Sequence, residues 1–501
     1  MSKVSNAAFS PEPPQGLRLA ALLLLPPAVL GLALLGLTLP WGWTVLLHIS
    51  LALAGLVLLK PFFGLALLSF TVPVTSFVLY AAIRAEWNFI TGMNYIDALP
   101  ISLPLILLTW LALRLHRWSG LLPAPGRNPL RFPLLLLSGY AATTIFWAES
   151  QPHSLFQLLI LLANVLLFNL TVALINDETR FRRALWLWTL SVGFQGAFAL
   201  ASFFFDSDLI TQKIPPDLIL GFHFFGSFLQ PSGWPQVASG LQDHHETSLL
   251  MNMTFPAALG LLLTSTSRFR QVLLGGLLFL MLFVTLRTES RAGFGALLIM
   301  GSAMLLLLRP LRGRLLRLLP LFALLIITTY TAQQAVVSLI IGKNFTPRLF
   351  SLGIKAVESG DAIDPEIENK KHSRKRLWLN SFRKYSEVPL QGFGVGNLKK
   401  EMQAPHAHSI FFSTWFDFGL VGLLFMLWLT IYYARNLLPS LLAQRSRQQL
   451  VVSAMSGGLL VICLQGLVDF EYNTPSIWLY FALMTAALNL AAAEQKRHAN
   501  P

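Results

Sequence analysis

Apolar stretches of about 18 residues or more recur along the whole chain, and each is long enough to cross a hydrocarbon layer as a helix. A lone strand there would leave its amides and carbonyls unpaired, so the segments must be helical. The reading is an all-α polytopic membrane protein. Composition agrees: 54% of the 501 residues are hydrophobic and 12% charged, where soluble domains carry roughly 25% charge.

Hydrophobic length predicts about 14 transmembrane helices, near residues 18–38, 42–59, 62–83, 98–115, 130–147, 154–175, 184–204, 246–264, 271–287, 292–308, 315–332, 407–432, 449–468 and 474–493. Eleven helices then occupy 1–332, one large outer loop fills 333–406, and three helices with a tail make up 407–501. The first run, from Leu17, has no small-residue cleavage site after it and is expected to stay as a span.

With a cytoplasmic N-terminus every inner loop is basic, as Arg180, Arg182 and Arg183 or Arg268 and Arg270 illustrate. Short outer turns carry Glu149, or Asp469 with Glu471. The positive-inside bias therefore puts both termini in the cytoplasm and the 333–406 loop in the periplasm. The net charge of +14 is then mostly topology and not a nucleic-acid footprint. The one cysteine, Cys463, excludes an intramolecular disulfide and is expected to be a buried packing residue. The chain has no P-loop, GxGxxG, CxxC pair or internal repeat.

Two outer segments are basic against the bias. The turn TLRTESRAG sets Arg287 and Arg291 at the outer ends of two helices. The 333–406 loop holds twelve Lys and Arg against seven acids, Arg348, Arg376 and Arg383 among them. A long loop translocates whatever its charge, so a solvated basic domain is one reading. The other is a site for an anionic, membrane-bound substrate, because guanidinium forks bind phosphate bidentately. Ser290 is placed to cap the helix starting at Arg291, whose bare amides would add to such a site.

ESRAGFGALL before a span, the loop stretch RLWLNSFRKYSEVPLQGFGVGNL, and HSIFFSTWFDFGLVG opening the next span together resemble the O-antigen ligase and polymerase superfamily. The family's closing pattern is His-Asn-x-x-Leu-x-x-x-x-Glu-x-Gly-x-x-Gly. Here His408 opens it, Ser409 stands for the Asn, Phe412 for the Leu and Asp417 for the Glu, while Gly419 and Gly422 keep the glycines. Ser290, Arg291 and Gly293 match the family's Ser-Arg-x-Gly, and Arg383 with Gly394 matches its Arg-to-Gly spacing.

The resemblance implies an inverting, metal-independent glycan transferase that uses undecaprenyl diphosphate as donor carrier, works at the periplasmic face of the inner membrane and needs no cofactor. It implies His408 as the base and Arg291 as the first cation, with Arg287, Arg348, Arg376 and Arg383 as further candidates for donor binding. His406 competes with His408. His244 and His245 open another span and are expected to line the same outer cavity; they lack HExxH spacing for a metal. On one continuous helix Trp415, Gly419 and Gly422 would lie within about 40° of His408, while Asp417 would point away about 13 Å deeper and face a protein partner.

Three acceptors suit the family: lipid A-core for a ligase, a lipid-linked repeat unit for a polymerase, a Ser or Thr hydroxyl for a protein transferase. The single long outer loop favours the ligase arrangement. Outside the family, the span count also suits a lipid-linked glycan flippase, though the chain shows no inverted repeat. Membrane lipids and the lipid-linked donor are the expected partners, with no nucleic acid, and the sequence names no oligomeric state.

Overall fold

The computed structural model describes residues 41–75, 102–120, 128–204, 244–288, 290–308, 312, 313, 316, 320, 324, 382–384, 387–397, 409–444, 446–468 and 472–499. Through them run α1 (Trp41–Leu59), α2 (Pro61–Thr75), α3 (Ser102–Trp118), α4 (Arg131–Thr144), α5 (Gln151–Leu174) and α6 (Glu178–Phe204). They are followed by α7 (His244–Thr264), α8 (Arg268–Arg287), α9 (Arg291–Leu307), α10 (Ile410–Ala443), α11 (Arg447–Gly466) and α12 (Pro475–Ala499). No strand occurs among the described residues. Each helix falls on one of the expected spans. The spans at 18–38 and, but for three positions, 315–332 lie outside the described residues, as does most of the 333–406 loop.

The protein is a multi-pass membrane bundle. Among the described residues six helices (α5, α7, α8, α10, α11 and α12) are long and apolar enough to cross a membrane. Large apolar side chains also point outward: Leu135, Phe279 and Leu427 are each more than half exposed. In water such a surface would be an aggregation liability, whereas lipid solvates it.

Without a hydrophobic drive between helices in lipid, close packing depends on small residues. The core shows this at α11, whose Ser453, Ala454, Ser456 and Gly457 are buried or nearly so. There α7 and α12 approach closely, and Tyr480 of α12 donates to the Met455 carbonyl at 2.8 Å. Trp188 of α6 donates to Thr254 of α7 at 2.9 Å, fixing a third neighbour. The start of α11 is a capping box: Ser446 Oγ accepts from the Gln449 amide and Gln449 Oε1 from the Ser446 amide.

Successive described helices run in opposite directions except α9 and α10, which both start at the same end, so the bundle has two ends. At one, Arg182 at the start of α6 donates to Thr264 at the end of α7, and the basic residues Arg268, Arg270 and Arg447 gather. At the other, the starts of α5, α7, α9, α10 and α12 meet the ends of α4, α8 and α11. The described parts of the 333–406 loop are residues 382–384 and 387–397, and they pack at this second end. Tyr140 of α4 donates to the Gln391 carbonyl at 2.9 Å, and Asn397 Nδ2 donates to Ser154 of α5 at 3.1 Å.

α10 departs from the expectation. It begins at Ile410, runs to Ala443, and is broken at Gly419, where φ is 59° and ψ −144°. The helical wheel drawn through Trp415, Gly419 and Gly422 therefore fails beyond the eighteenth residue of the four hundreds, because the chain changes direction there. The half-helix before the break rests on its neighbours' ends at both limits: Ile410 packs on Gly466, and Phe418 meets the Tyr472 ring at 5.2 Å. Asp417 consequently sits level with the helix ends rather than deep in the bundle. It faces protein as expected: its Oδ2 accepts from the Gly396 amide at 2.8 Å and the Tyr472 hydroxyl at 2.6 Å.

Candidate active site

A buried polar layer closes the loop-bearing end of α7, α8, α9 and α11. Ser290 caps α9 as expected, its Oγ accepting from the Gly293 amide at 3.1 Å. The cap satisfies one of the first-turn amides of α9, the arrangement expected from the sequence. The same Oγ lies 3.2 Å from His245 Nδ1 of α7, donating or accepting according to the imidazole tautomer. Asn252, two turns along α7, donates to the Gly293 carbonyl at 2.8 Å and accepts from Thr285 of α8 at 3.1 Å. Thr288 donates to the Thr285 carbonyl at 2.7 Å, which ends α8 in a tight turn before Ser290.

Gly293 sits where α9 crosses α7. A Cβ there would collide with Ser248 Oγ and come within 3.0 Å of Gln465 Nε2 of α11. The glycine of Ser-Arg-x-Gly is thus required by close approach. Sequence reasoning missed Ser248, Asn252 and Gln465. A signal existed for two of them: His245, Ser248 and Asn252 follow at i, i+3 and i+7, one polar stripe on an otherwise apolar helix.

The structure brings several predicted residues to this end. His245 is half-buried in the layer, Arg291 is exposed at the first turn of α9, and Arg287 is only 3% exposed at the end of α8. Arg383 is exposed beside Phe382, whose ring meets Trp415 and Phe412 of the half-helix edge-on at 5.1 and 5.4 Å. His244 opens α7, its side chain lying outside the described residues together with His406, His408, Arg348 and Arg376. The described chain resumes at Ser409, one residue after His408, where Ser409 Oγ caps the half-helix at the Phe412 amide. Ile410, the next residue, packs on Gly466 beside Gln465, which donates to Ser248 in the polar layer at 3.4 Å. Ser409 in the place of the family's Asn therefore serves as a helix cap.

Below this end an apolar groove of about 270 Å³ runs along α10, walled by α4, α11 and α12. It extends from Ile410, Thr414 and Tyr472 at the loop-bearing end to Leu437 near the other. Cys463, expected as a buried packing residue, is exposed on this wall. The apolar run that contains it is in the bundle, but its thiol faces the groove.

These features define a multi-pass membrane protein with a polar, partly cationic site at one end of the bundle and an apolar groove lined by the half-helix. Residues 276–427, about three tenths of the chain, match the family model described as O-antigen ligase, which supports a place for that segment in the O-antigen ligase superfamily. The matched segment contains the Ser290–Gly293 turn, the described loop and the half-helix; His245, Asn252, Gln465 and Tyr472 lie outside it. No curated protein matches the chain.

Proposed function

We propose that the chain is an O-antigen ligase-like glycosyltransferase that moves a glycan from undecaprenyl diphosphate to an acceptor hydroxyl, lipid A-core foremost, at the periplasmic face of the inner membrane. The observation that carries the reading is the convergence at one end of the bundle. There the Ser290–Arg291 turn with its polar layer, Arg383 and the half-helix gather, and the half-helix also lines an apolar groove suited to an isoprenoid chain.

In the proposed reaction the acceptor oxygen attacks the anomeric carbon of the donor sugar from the face opposite the diphosphate. Its proton passes to the His408 imidazole, a side-chain type suited to general-base work. The bond from the anomeric carbon to the diphosphate oxygen breaks, inverting the centre, and the diphosphate departs with growing negative charge. Fixed cations stabilise that charge in place of a metal; Arg291, exposed at the first turn of α9, takes first place, with Arg287, Arg348, Arg376 and Arg383 as further candidates. His245, half-buried in the polar layer, and His244 are the further candidates for substrate binding.

The test is an initial-rate transfer assay on purified protein in detergent and proteoliposomes, with lipid-linked glycan as donor, with and without lipid A-core. His408→Ala should lose about 10²–10⁴ in rate, the usual contribution of a general base, while His406→Ala keeps most activity. Arg291→Ala should abolish transfer and Arg291→Lys restore it only in part, since a point charge lacks the planar fork. EDTA should change nothing. A His408→Ala rate within about threefold of wild type defeats the base assignment; donor crossing the bilayer without product supports a flippase instead, and product formed only between donors supports a polymerase.

A further inference from the structure

We infer that Asp417 is a positioning residue, whose carboxylate locks the 389–397 turn onto the break in α10 and so holds the backbone that carries Arg383 near the half-helix. The lock stands on geometry; its effect on donor binding rests on the transferase reading above.

In an unbroken helix the Leu420 amide would donate to the Phe416 carbonyl. Here the loop takes over both groups: Leu420 donates to the Pro389 and Leu390 carbonyls at 3.2 Å, and the Phe393 amide donates to the Phe416 carbonyl at 2.9 Å. The Asp417 carbonyl accepts the Gly394 amide at 3.0 Å. Backbones can come this close only because two glycines face each other. Gly392 has φ 70° and a Cβ there would lie 2.5 Å from the Gly419 amide nitrogen; a Cβ on Gly419 would strike the Leu390 carbonyl.

Main-chain pairing sets the register, and Asp417 fastens it. One carboxylate oxygen receives the Gly396 amide from the loop and the Tyr472 hydroxyl from the turn before α12. The buried carboxylate thereby joins three segments that share no helix. Upstream, Phe382 wedges against Trp415 and Phe412 of the same half-helix. Arg383 lies on the short stretch between these two anchors, so the backbone that carries it is held near the half-helix before any ligand arrives. Releasing one anchor would leave that ordering to be done at binding, which weakens affinity more than turnover.

The test uses the full chain in detergent. Trypsin cleavage after Arg383 and Lys384 reports how often the segment opens. Asp417→Ala should be cut at least tenfold faster than wild type; Tyr472→Phe, which keeps the ring against Phe418, should shift the same way by less. In the transfer assay the donor KM of Asp417→Ala should rise at least fivefold with kcat within about threefold, whereas a merely structural defect would lower kcat and leave KM alone. Wild-type cleavage rates in both variants, or a loss confined to kcat, overturn the proposal. If wild type transfers nothing to any acceptor the transferase reading fails, and the cleavage ratio alone then supports or overturns the lock.

Discussion

Replacing Asn252 by Leu removes the centre of the polar layer while nearly conserving side-chain volume, so the cavity contribution stays small. Two well-formed bonds disappear, to the Gly293 carbonyl at 2.8 Å and from the Thr285 hydroxyl at 3.1 Å; the 3.4 Å contact with Ser248 is too long to add much. A net hydrogen bond is worth about 1 kcal/mol in soluble proteins and about 0.6 kcal/mol between helices in a bilayer, which gives about 1–2 kcal/mol for the pair. The Gly293 carbonyl and Thr285 hydroxyl left behind add about 1 kcal/mol, for an expected loss of about 2–3 kcal/mol. Reversible unfolding by sodium dodecyl sulfate in mixed micelles measures it. Thr285→Val, alone and combined with Asn252→Leu, should show a coupling of at least about 0.5 kcal/mol. A loss below about 0.5 kcal/mol for Asn252→Leu, with no coupling, would show that the layer does not tie α7 to α8 and α9, and the reason given for its buried polar stripe would be wrong.

Two further outcomes are expected. In a Cys463→Ser background, a membrane-impermeant maleimide on intact cells should label Glu387→Cys at the loop-bearing end, and Arg270→Cys at the other end only after lysis; labelling of Arg270→Cys in intact cells reverses the orientation. Gly419→Ala must hold a left-handed backbone and push into the Leu390 carbonyl, which should cost about 1–3 kcal/mol in the same unfolding assay, and a wild-type unfolding curve would mean the break closes into ordinary helix.

Hydrophobic length located every described helix because hydrocarbon permits so few alternatives. The cap at Ser290 was legible from its place before Arg291, and Asp417's protein partner from the cost of a charge facing lipid. The break in α10 was not. FDFGLVGLL reads as uninterrupted helix to any count of apolar residues, and the loop backbone that completes it is supplied from some 25 residues upstream with no periodicity to announce it. Nor could an apolar run reveal that Cys463 faces a groove instead of a neighbour. The polar stripe on α7 was there to be found, since His245, Ser248 and Asn252 share one face.

The loop contacts also have a bearing on the order of assembly. Tyr140 waits for Gln391, 251 positions later, and Asn164 of α5 for the Asn473 carbonyl, 309 positions later. At synthesis rates of about 5–20 residues per second, α4 and α5 stand in the membrane for roughly fifteen seconds to a minute before these groups exist. Until then their polar ends are open to water, to lipid headgroups or to insertion factors. The Tyr472 hydroxyl, which completes the Asp417 carboxylate, follows Asp417 by 55 positions. A ribosome stalled before α12 would thus carry a bundle whose spans are inserted and whose loop is still loose, and native closure of this end would be one of the last events in the life of the nascent chain.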